Sequence, residues 1–275
     1  MKVENEKFDI ILLAGQSNAD GSGIGEDEFE FVQDGDVMIM RGDFEASVKK
    51  SEYGNEYLDL KLSDEYKVMR ADYLLNDEGQ KKGCFAFSFA REYKKNNLEN
   101  GRKILIVHTS IGGTGFAKNH WGVGDCLYNR MLNMLNKALG MNAENRLVAF
   151  LWHQGEHDSF ENEHLNDYER QDYYYGKLTS MLVDFRIKFG NVPFVSAGFT
   201  RQWKESYPNQ CKAIYEATKS VVQEQGNAAF ITETEDLLSN AEMVGNQDQV
   251  HFCRRALSVL GVRYYNEWLK LKGIK

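Results

Sequence analysis

FDIILLAGQSNADG, the stretch Phe8–Gly21, passes from an apolar run into glycine, glutamine, serine and asparagine. A continuous apolar run of this length, followed by turn residues, is typical of a buried strand in a parallel sheet. Ligands of such sheets bind where loops leave the carboxyl ends of the strands. We therefore predict that the first strand ends at a binding edge and that Ser17, just beyond it, is a nucleophile.

Later apolar runs indicate the other strands of the same sheet. Asp36–Met40 has the composition of one short strand, and stretches with helical periodicity separate the longer runs. Alternating strands and helices favour right-handed crossovers and a parallel sheet covered on both faces. We predict one α/β domain over residues 1–275, a three-layer α/β/α sandwich with a mainly parallel, five-stranded sheet. Besides Phe8–Ala14, its buried strands are Lys103–Thr109, Arg146–Trp152, Val192–Phe199 and Ala228–Thr232.

The helix before the fourth of these strands has the clearest boundaries in the sequence. Asn166 and Glu169 have the spacing of a capping box, in which each side chain accepts from the other residue's backbone N–H. Gly190 stands where a glycine commonly ends a helix. Pro208 suits the first turn of the next helix, and Ala256–Leu269 is predicted as the last one.

The overall charge argues against two classes of partner. The net charge of -8 disfavours binding to nucleic acid or to an anionic membrane surface, and no basic stripe offsets it. The polar N-terminus and the short first apolar run predict neither a signal peptide nor a membrane span. We expect a cytoplasmic protein, exported only if a signal peptide has been removed.

Near the other end of the chain, Asp248 and His251 are three residues apart. A serine hydroxyl is a weak nucleophile at neutral pH, so it needs a general base within hydrogen-bond reach and a third group that orients the base. A carboxylate at this spacing can bond the far nitrogen of the imidazole, which leaves the near nitrogen free to take the proton of Ser17. The three residues therefore form a candidate catalytic triad.

Two further segments follow predicted strands and carry hydrogen-bond donors. Ser110–Gly115, SIGGTG, exposes backbone N–H groups by removing side chains, as an oxyanion site requires. Gln154, in the segment WHQGE, offers a side-chain amide that can point at the same oxygen. With the N–H of Ser17, these segments supply three candidate donors.

Taken together, these segments resemble the SGNH, or GDSL-like, hydrolase superfamily, within it the branch of acetylxylan esterases and sialate O-acetylesterases. Four ordered blocks that extend over nearly the whole chain are a far more specific signal than any one of them. In family order, the matching blocks are Gly15–Asn18 (GQSN), Gly112–Thr114 (GGT), His153–Glu156 (HQGE) and Asp248–His251 (DQVH).

The resemblance implies a flavodoxin-like fold and a serine esterase that removes acetyl groups from carbohydrate without a metal or an organic cofactor. It implies Ser17 as nucleophile, His251 as general base and acid, and Asp248 as the orienting acid. The oxyanion hole would then comprise the N–H groups of Ser17 and of Gly112 or Gly113, and the amide of Gln154. Glu156, from the third block, is an alternative or supplementary acid. Acetylated xylan, sialic acid, another acetylated sugar and a small acyl ester all stay open as substrates.

Two other functions compete with this interpretation. His153, Glu156 and His157 fit the H-x-x-E-H spelling of a zinc hydrolase, but that chemistry needs both histidines on one helix, and Gly155 interrupts the motif. A non-catalytic carbohydrate-binding protein on an esterase scaffold is the second competitor, because a fold does not determine a function. Trp121, in a glycine-flanked loop, is the aromatic residue that we predict to contact the substrate.

Overall fold

The computed structural model describes residues 5–27, 31–50, 56–161 and 164–274. Its strands form one large sheet and a separate two-stranded ribbon. In chain order they are β1 (Phe8–Gly15), β2 (Val37–Lys50), β3 (Glu56–Arg70), β4 (Leu74–Leu75), β5 (Lys81–Lys82), β6 (Lys103–His108), β7 (Arg146–His153), β8 (Phe194–Ala197) and β9 (Ala228–Ile231).

The large sheet has seven strands in the order β3-β2-β6-β1-β7-β8-β9, and every neighbouring pair is parallel except β2 and β3. The predicted fold class and the mainly parallel sheet are confirmed. The prediction of five strands is wrong, because Asp36–Met40 marks only the start of the long strand β2, which turns back into β3.

The hairpin of β2 and β3 lacks the apolar run by which buried strands are recognised. Only the first four residues of β2 are buried, and the strand is exposed from Asp43 to Lys50. β3 mixes apolar with charged residues throughout its length. Such strands are not buried on both faces, so continuous hydrophobicity cannot reveal them.

Helices cover both faces of the sheet. Side chains alternate between the two faces along β1, so the strand contributes to two cores. On one face α2 and α9 pack against residues such as Ile11 and Leu13. On the other face α3, α5 and α7 pack against residues such as Ile10 and Leu12. The helices are α1 (Ser17–Asp20), α2 (Phe85–Asn96), α3 (Cys126–Gly140), α4 (Glu156–Phe160), α5 (Asp167–Phe189), α6 (Arg201–Ser206), α7 (Pro208–Gln225), α8 (Asn240–Val244) and α9 (Arg254–Leu271).

The predicted helix boundaries are confirmed at their strongest signals. Asn166 and Glu169 form the capping box at the start of α5, and Gly190 follows its last residue. Pro208 opens α7, and the last helix is slightly longer than the predicted Ala256–Leu269. Within the described ranges, no helix combines the length and the apolar character that a membrane span requires.

Three neighbouring strands bring the predicted blocks to one edge of the sheet. β1 lies between β6 and β7, with Leu13 beside His108 and Gly15 beside His153. Since the three strands are parallel, the segments that follow them leave the sheet at the same edge. Ser17, the glycine segment after β6 and Gln154 are therefore neighbours by topology.

Candidate active site

Ser17 is the first residue of α1 and lies at the carboxyl end of β1. Gly15 allows this tight exit, because it has φ +129° and an added Cβ would lie 2.0 Å from the carbonyl oxygen of His153. The backbone N–H of Gln16 donates to that same oxygen at 2.9 Å. The position of Ser17 is thus fixed by close backbone contact between two strands, and the residue is only slightly exposed.

The structure brings Ser17, His251 and Asp248 together in the predicted order. His251 Nε2 lies 2.7 Å from Ser17 Oγ, and His251 Nδ1 lies 2.8 Å from Asp248 Oδ2. Asp248 also accepts from the backbone N–H of His251 at 3.2 Å. This network suits an imidazole protonated at Nδ1, with Nε2 free to accept the serine proton.

Asp248 is held in its ionised form by its partners. Burial acts to raise the pKa of its carboxyl, but the hydrogen bond and charge of His251 and the amide of Asn240 outweigh burial, so the pKa is lowered. A carboxylate bonded to the Nδ1 of an imidazole is suited to orient the ring and to stabilise its protonated form.

Asn240 is a site residue that sequence reasoning missed. Its Nδ2 donates to Asp248 Oδ2 at 2.8 Å and to Ser22 O at 3.0 Å, and its backbone N–H donates to His251 O at 2.8 Å. Ser239 and Glu242 form a capping box that begins α8 at Asn240. That spacing was visible in the sequence and predicts a helix start, but it does not predict what the amide contacts.

Glu156 is not the carboxylate that bonds the imidazole of His251. It is buried, and its Oε1 accepts from Asn18 Nδ2 at 2.6 Å. The same oxygen lies 3.2 Å from His153 Nε2, outside hydrogen-bond geometry. Asp248 occupies the position beside the imidazole of His251. Of the two carboxylates that the sequence left open, geometry therefore selects Asp248 as the partner of His251.

The glycine segment after β6 lies beside Ser17. Gly112 lies against Ser17, since a Cβ at Gly112 would be 3.5 Å from Ser17 Cβ, and Gly113 has the left-handed φ of +71°. Among the described residues, the N–H groups of Ser17, Gly112 and Gly113 have no hydrogen-bond acceptor. Such free donors next to a nucleophile suit an oxyanion hole.

Gln154 lies close to this loop, but its amide is already engaged. Its Nε2 donates to Gln16 Oε1 at 3.1 Å and to Asp158 Oδ2, and its Oε1 accepts from Tyr174 OH at 3.1 Å. Both amide hydrogens thus have acceptors, and donation to an oxyanion requires one of these bonds to break. Burial raises the pKa of Asp158 to about 6, although the N–H of Ala117 and the amide of Gln154 favour its charged form.

The prediction that Trp121 contacts substrate is wrong. Its side chain has no exposed surface, and its ring packs at a right angle on Trp152 with the centroids 5.2 Å apart. Its Nε1 donates to Thr114 Oγ1 at 3.0 Å, and this hydrogen bond ties the glycine segment to the core. The glycines around Trp121 suggested an open loop, whereas the indole is a core side chain.

The zinc-hydrolase alternative fails on backbone geometry. His153 is the last residue of β7, His157 lies in α4, and Gly155 between them has φ +135°. The two histidines therefore do not lie one turn apart on a helix, as that motif requires. In the part of the chain that the structure describes, no group of three or more His, Cys, Asp or Glu residues is arranged to hold a metal ion.

Known proteins resemble this chain in sequence and in fold. Solved structures with the same fold include NanS, with a TM-score of 0.70 and 17% identity over 98% of each chain. A protein from Arabidopsis thaliana has a TM-score of 0.67 and 16% identity over 96% of this chain and 98% of that one. A carbohydrate acetylesterase from Xanthomonas citri has a TM-score of 0.60 and 16% identity over 96% of this chain and 56% of that one.

At these identities the structural likeness shows the fold alone, and a comparison with curated proteins gives no match. The family assignment comes from the sequence. Residues 7–270 match the family described as carbohydrate esterase, sialic acid-specific acetylesterase. This match spans nearly the whole chain, and it agrees with the SGNH-type blocks at the carboxyl ends of β1, β6 and β7. The chain therefore belongs to the carbohydrate esterase family of sialic acid-specific acetylesterases, which are carboxylic ester hydrolases.

Proposed function

We propose that this carbohydrate esterase uses a serine mechanism and removes O-acetyl groups from acetylated sugars or glycans through an acetyl-enzyme intermediate. The observation that carries the proposal is the hydrogen-bonded series Ser17, His251, Asp248. A general base at 2.7 Å from a hydroxyl, itself oriented by a carboxylate, is the arrangement that makes serine a nucleophile.

In the first half of the reaction, Ser17 Oγ attacks the carbonyl carbon of the acetyl ester while His251 Nε2 takes its proton. We assign the free N–H groups of Ser17, Gly112 and Gly113 as the donors that stabilise the negative charge developing on the carbonyl oxygen. The tetrahedral species then collapses, the bond to the sugar oxygen breaks, and His251 gives its proton to the departing hydroxyl.

In the second half, water attacks the acetyl group on Ser17 and His251 takes a proton from that water. The bond between the acetyl carbon and Ser17 Oγ breaks, His251 returns the proton to the serine, and acetic acid leaves and loses its own proton to the solvent. Asp248 keeps the imidazole in the required tautomer through both halves and stabilises its charged form.

The replacement Ser17→Ala tests this proposal. We expect turnover of p-nitrophenyl acetate and acetate release from acetylated sugars to fall by about 10⁴-fold or more, with the melting temperature nearly unchanged. Mass spectrometry of the native protein mixed with substrate and quenched rapidly should show one added acetyl group, on Ser17. Unchanged turnover in the variant would exclude the serine mechanism.

The same assay separates an enzyme from a non-catalytic carbohydrate-binding protein. A panel of acetylated sialic acid, acetylated xylan and other acetylated sugars, scored by acetate release, would identify the preferred substrate. Binding of a sugar in calorimetry with no acetate release from any ester would favour the binding function instead.

A further inference from the structure

Asn18 follows the nucleophile in the chain, and its side chain is fully buried between α1 and the loop that carries His251. We propose that Asn18 is a positioning residue, which holds the imidazole of His251 against Ser17, and that Glu156 fixes the orientation of the Asn18 amide. The inference rests on the proposed function, because it takes His251 as the base that receives the serine proton.

The Asn18 amide bonds the backbone on both sides of His251. Asn18 Oδ1 accepts from the N–H of Phe252 at 3.0 Å, and Asn18 Nδ2 donates to Val250 O at 3.2 Å. One rigid amide thus anchors the peptides that precede and follow the histidine. Since Asn18 is also the neighbour of Ser17 in α1, the nucleophile and the base are attached to one short segment.

Glu156 allows only one orientation of this amide. An asparagine amide can be turned so that its oxygen and nitrogen exchange places. Phe252 N–H can only donate, and both Val250 O and the carboxylate of Glu156 can only accept. Asn18 Nδ2 donates to Glu156 Oε1 at 2.6 Å, so only the observed orientation satisfies all three partners.

The charge of Glu156 makes this restraint strong. Burial acts to raise the pKa of its carboxyl, but the charge of His153 at 3.2 Å and the hydrogen bond of Asn18 outweigh burial, so the pKa is lowered. A hydrogen bond to an ionised acceptor is stronger than one between neutral groups. The buried carboxylate of Glu156 therefore acts on catalysis through Asn18 rather than by contact with His251.

Asn145 supplies a matched control. Its Oδ1 accepts from the N–H of Phe8 at 2.7 Å and its Nδ2 donates to Ala138 O at 2.8 Å, so it also bonds two backbone groups, one on β1 and one on α3. Phe8 begins β1, whereas Ser17 follows the end of the same strand. The replacement Asn145→Ala thus removes a comparable bridge at the opposite edge of the sheet.

The first test compares Asn18→Ala with Asn145→Ala on p-nitrophenyl acetate, at a temperature well below both melting transitions. We expect Asn18→Ala to lower kcat by about 10²-fold, because a displaced base loses its alignment with the serine, and to leave KM within about twofold. KM should hold because a fully buried Asn18 cannot touch the substrate. Asn145→Ala should keep the native kcat and KM.

Either of two results would overturn the proposal. Both variants could lose stability while Asn18→Ala keeps kcat within about threefold of native, which would make Asn18 a structural residue only. Alternatively, Asn18→Ala could raise KM at an unchanged kcat, which would make it part of the binding surface. The proposed function is scored separately, since it fails when native protein shows no turnover or when Ser17→Ala retains it.

A second variant covers the case in which Asn18→Ala does not fold. Asn18→Asp keeps the size of the side chain and the acceptor for Phe252 N–H, but it removes the donor to Val250 and sets a second carboxylate beside Glu156. Adjacent carboxylates raise each other's pKa, so on acidification the pair takes up one proton, and the protonated side chain at position 18 can again donate a hydrogen bond. We therefore expect the ratio of variant to native kcat to rise as the pH is lowered from about 8 to about 5.5.

In the ratio of variant to native kcat, the titration of the neighbouring groups cancels. The titratable groups that face Glu156 and the histidine loop are present in the variant and in the native protein alike. A ratio that stays near one at every pH would overturn the proposal. These groups are Asp20 on α1, His153 on β7, His157 on α4, Tyr174 on α5, Cys211 on α7, Tyr264 on α9, and the pair Asp248 and His251.

Discussion

A comparison of Asp248→Asn with Glu156→Gln tests which carboxylate assists His251 in the proposed mechanism. Asp248 Oδ2 accepts from both His251 Nδ1 and Asn240 Nδ2, and Asp248 Oδ1 accepts from the backbone N–H of His251. All three partners are donors, so an amide at position 248 must aim its own NH₂ at one of the two sets. No orientation of that amide satisfies the surroundings.

The consequence for catalysis follows from these two orientations. If the NH₂ faces Nδ1, His251 must adopt the other tautomer, in which Nε2 carries the hydrogen and cannot take the proton of Ser17. If the NH₂ faces the backbone, the tautomer is kept but the negative charge that stabilises the imidazolium is gone. Loss of this carboxylate with its geometry preserved lowers kcat by about 10⁴-fold in serine hydrolases, equivalent to about 5.5 kcal/mol of transition-state stabilisation.

The assay is steady-state turnover of p-nitrophenyl acetate and of an acetylated sugar, with urea unfolding as a check on stability. We expect Asp248→Asn to lower kcat by about 10⁴-fold with little change in KM. Glu156→Gln should stay within about tenfold of native, because the oxygen of the replacement still accepts from Asn18. A drop of about 10³-fold or more in Glu156→Gln, with Asp248→Asn nearly as active as native, would refute our assignment.

Three further variants test separate parts of the structure. Trp121→Ala should lower the free energy of unfolding by about 3–5 kcal/mol in urea titrations and leave KM unchanged, because the indole is a fully buried core side chain; a raised KM at native stability would return it to the substrate cleft. Asn240→Ala should lower kcat about tenfold through loss of a hydrogen bond to the charged Asp248, and an unaffected kcat would limit Asn240 to its role in the fold. Burial, aided by the charge of Arg41, lowers the pKa of His108 well below its ordinary value, so below about pH 6.5 the unfolded chain binds a proton that the folded chain does not. The free energy of unfolding should therefore fall on acidification less steeply in His108→Asn than in the native protein, and parallel slopes would contradict this.

The sequence predicts the part of the sheet that is buried on both faces. β1, β6 and β7 each appear as a continuous apolar run, because helices cover both of their faces. The hairpin of β2 and β3 cannot be predicted from a continuous apolar run, since most of β2 is exposed. Hydrophobic pattern reports burial rather than strand pairing, and an exposed hairpin is the element that it cannot report.

Residue types allow the chemistry of the site to be predicted, but they do not allow the packing around it to be predicted equally well. Ser17, His251 and Asp248 were found because each has a chemical role that few other residue types can fill. Trp121 was misplaced because an aromatic side chain suits a core as well as a sugar-binding surface. Gln154 lies near the glycine segment as predicted, but its amide hydrogens face Gln16 and Asp158. Which acceptor a buried amide meets depends on packing, and no local pattern records it.

The loop that carries His251 is held next to Ser17 by side-chain contacts that the sequence does not predict. β6 and β7 adjoin β1, so sheet register alone brings the glycine segment and Gln154 to the nucleophile. The histidine loop follows β9, three strands away from β1, and no pairing of strands fixes it over Ser17. Such a loop needs anchors of its own, and buried asparagines supply them: Asn18 bonds the backbone around His251, and Asn240 bonds Asp248 and the carbonyl of Ser22. The contacts that sequence reasoning did not predict are therefore concentrated where sheet topology does not determine the geometry of the site.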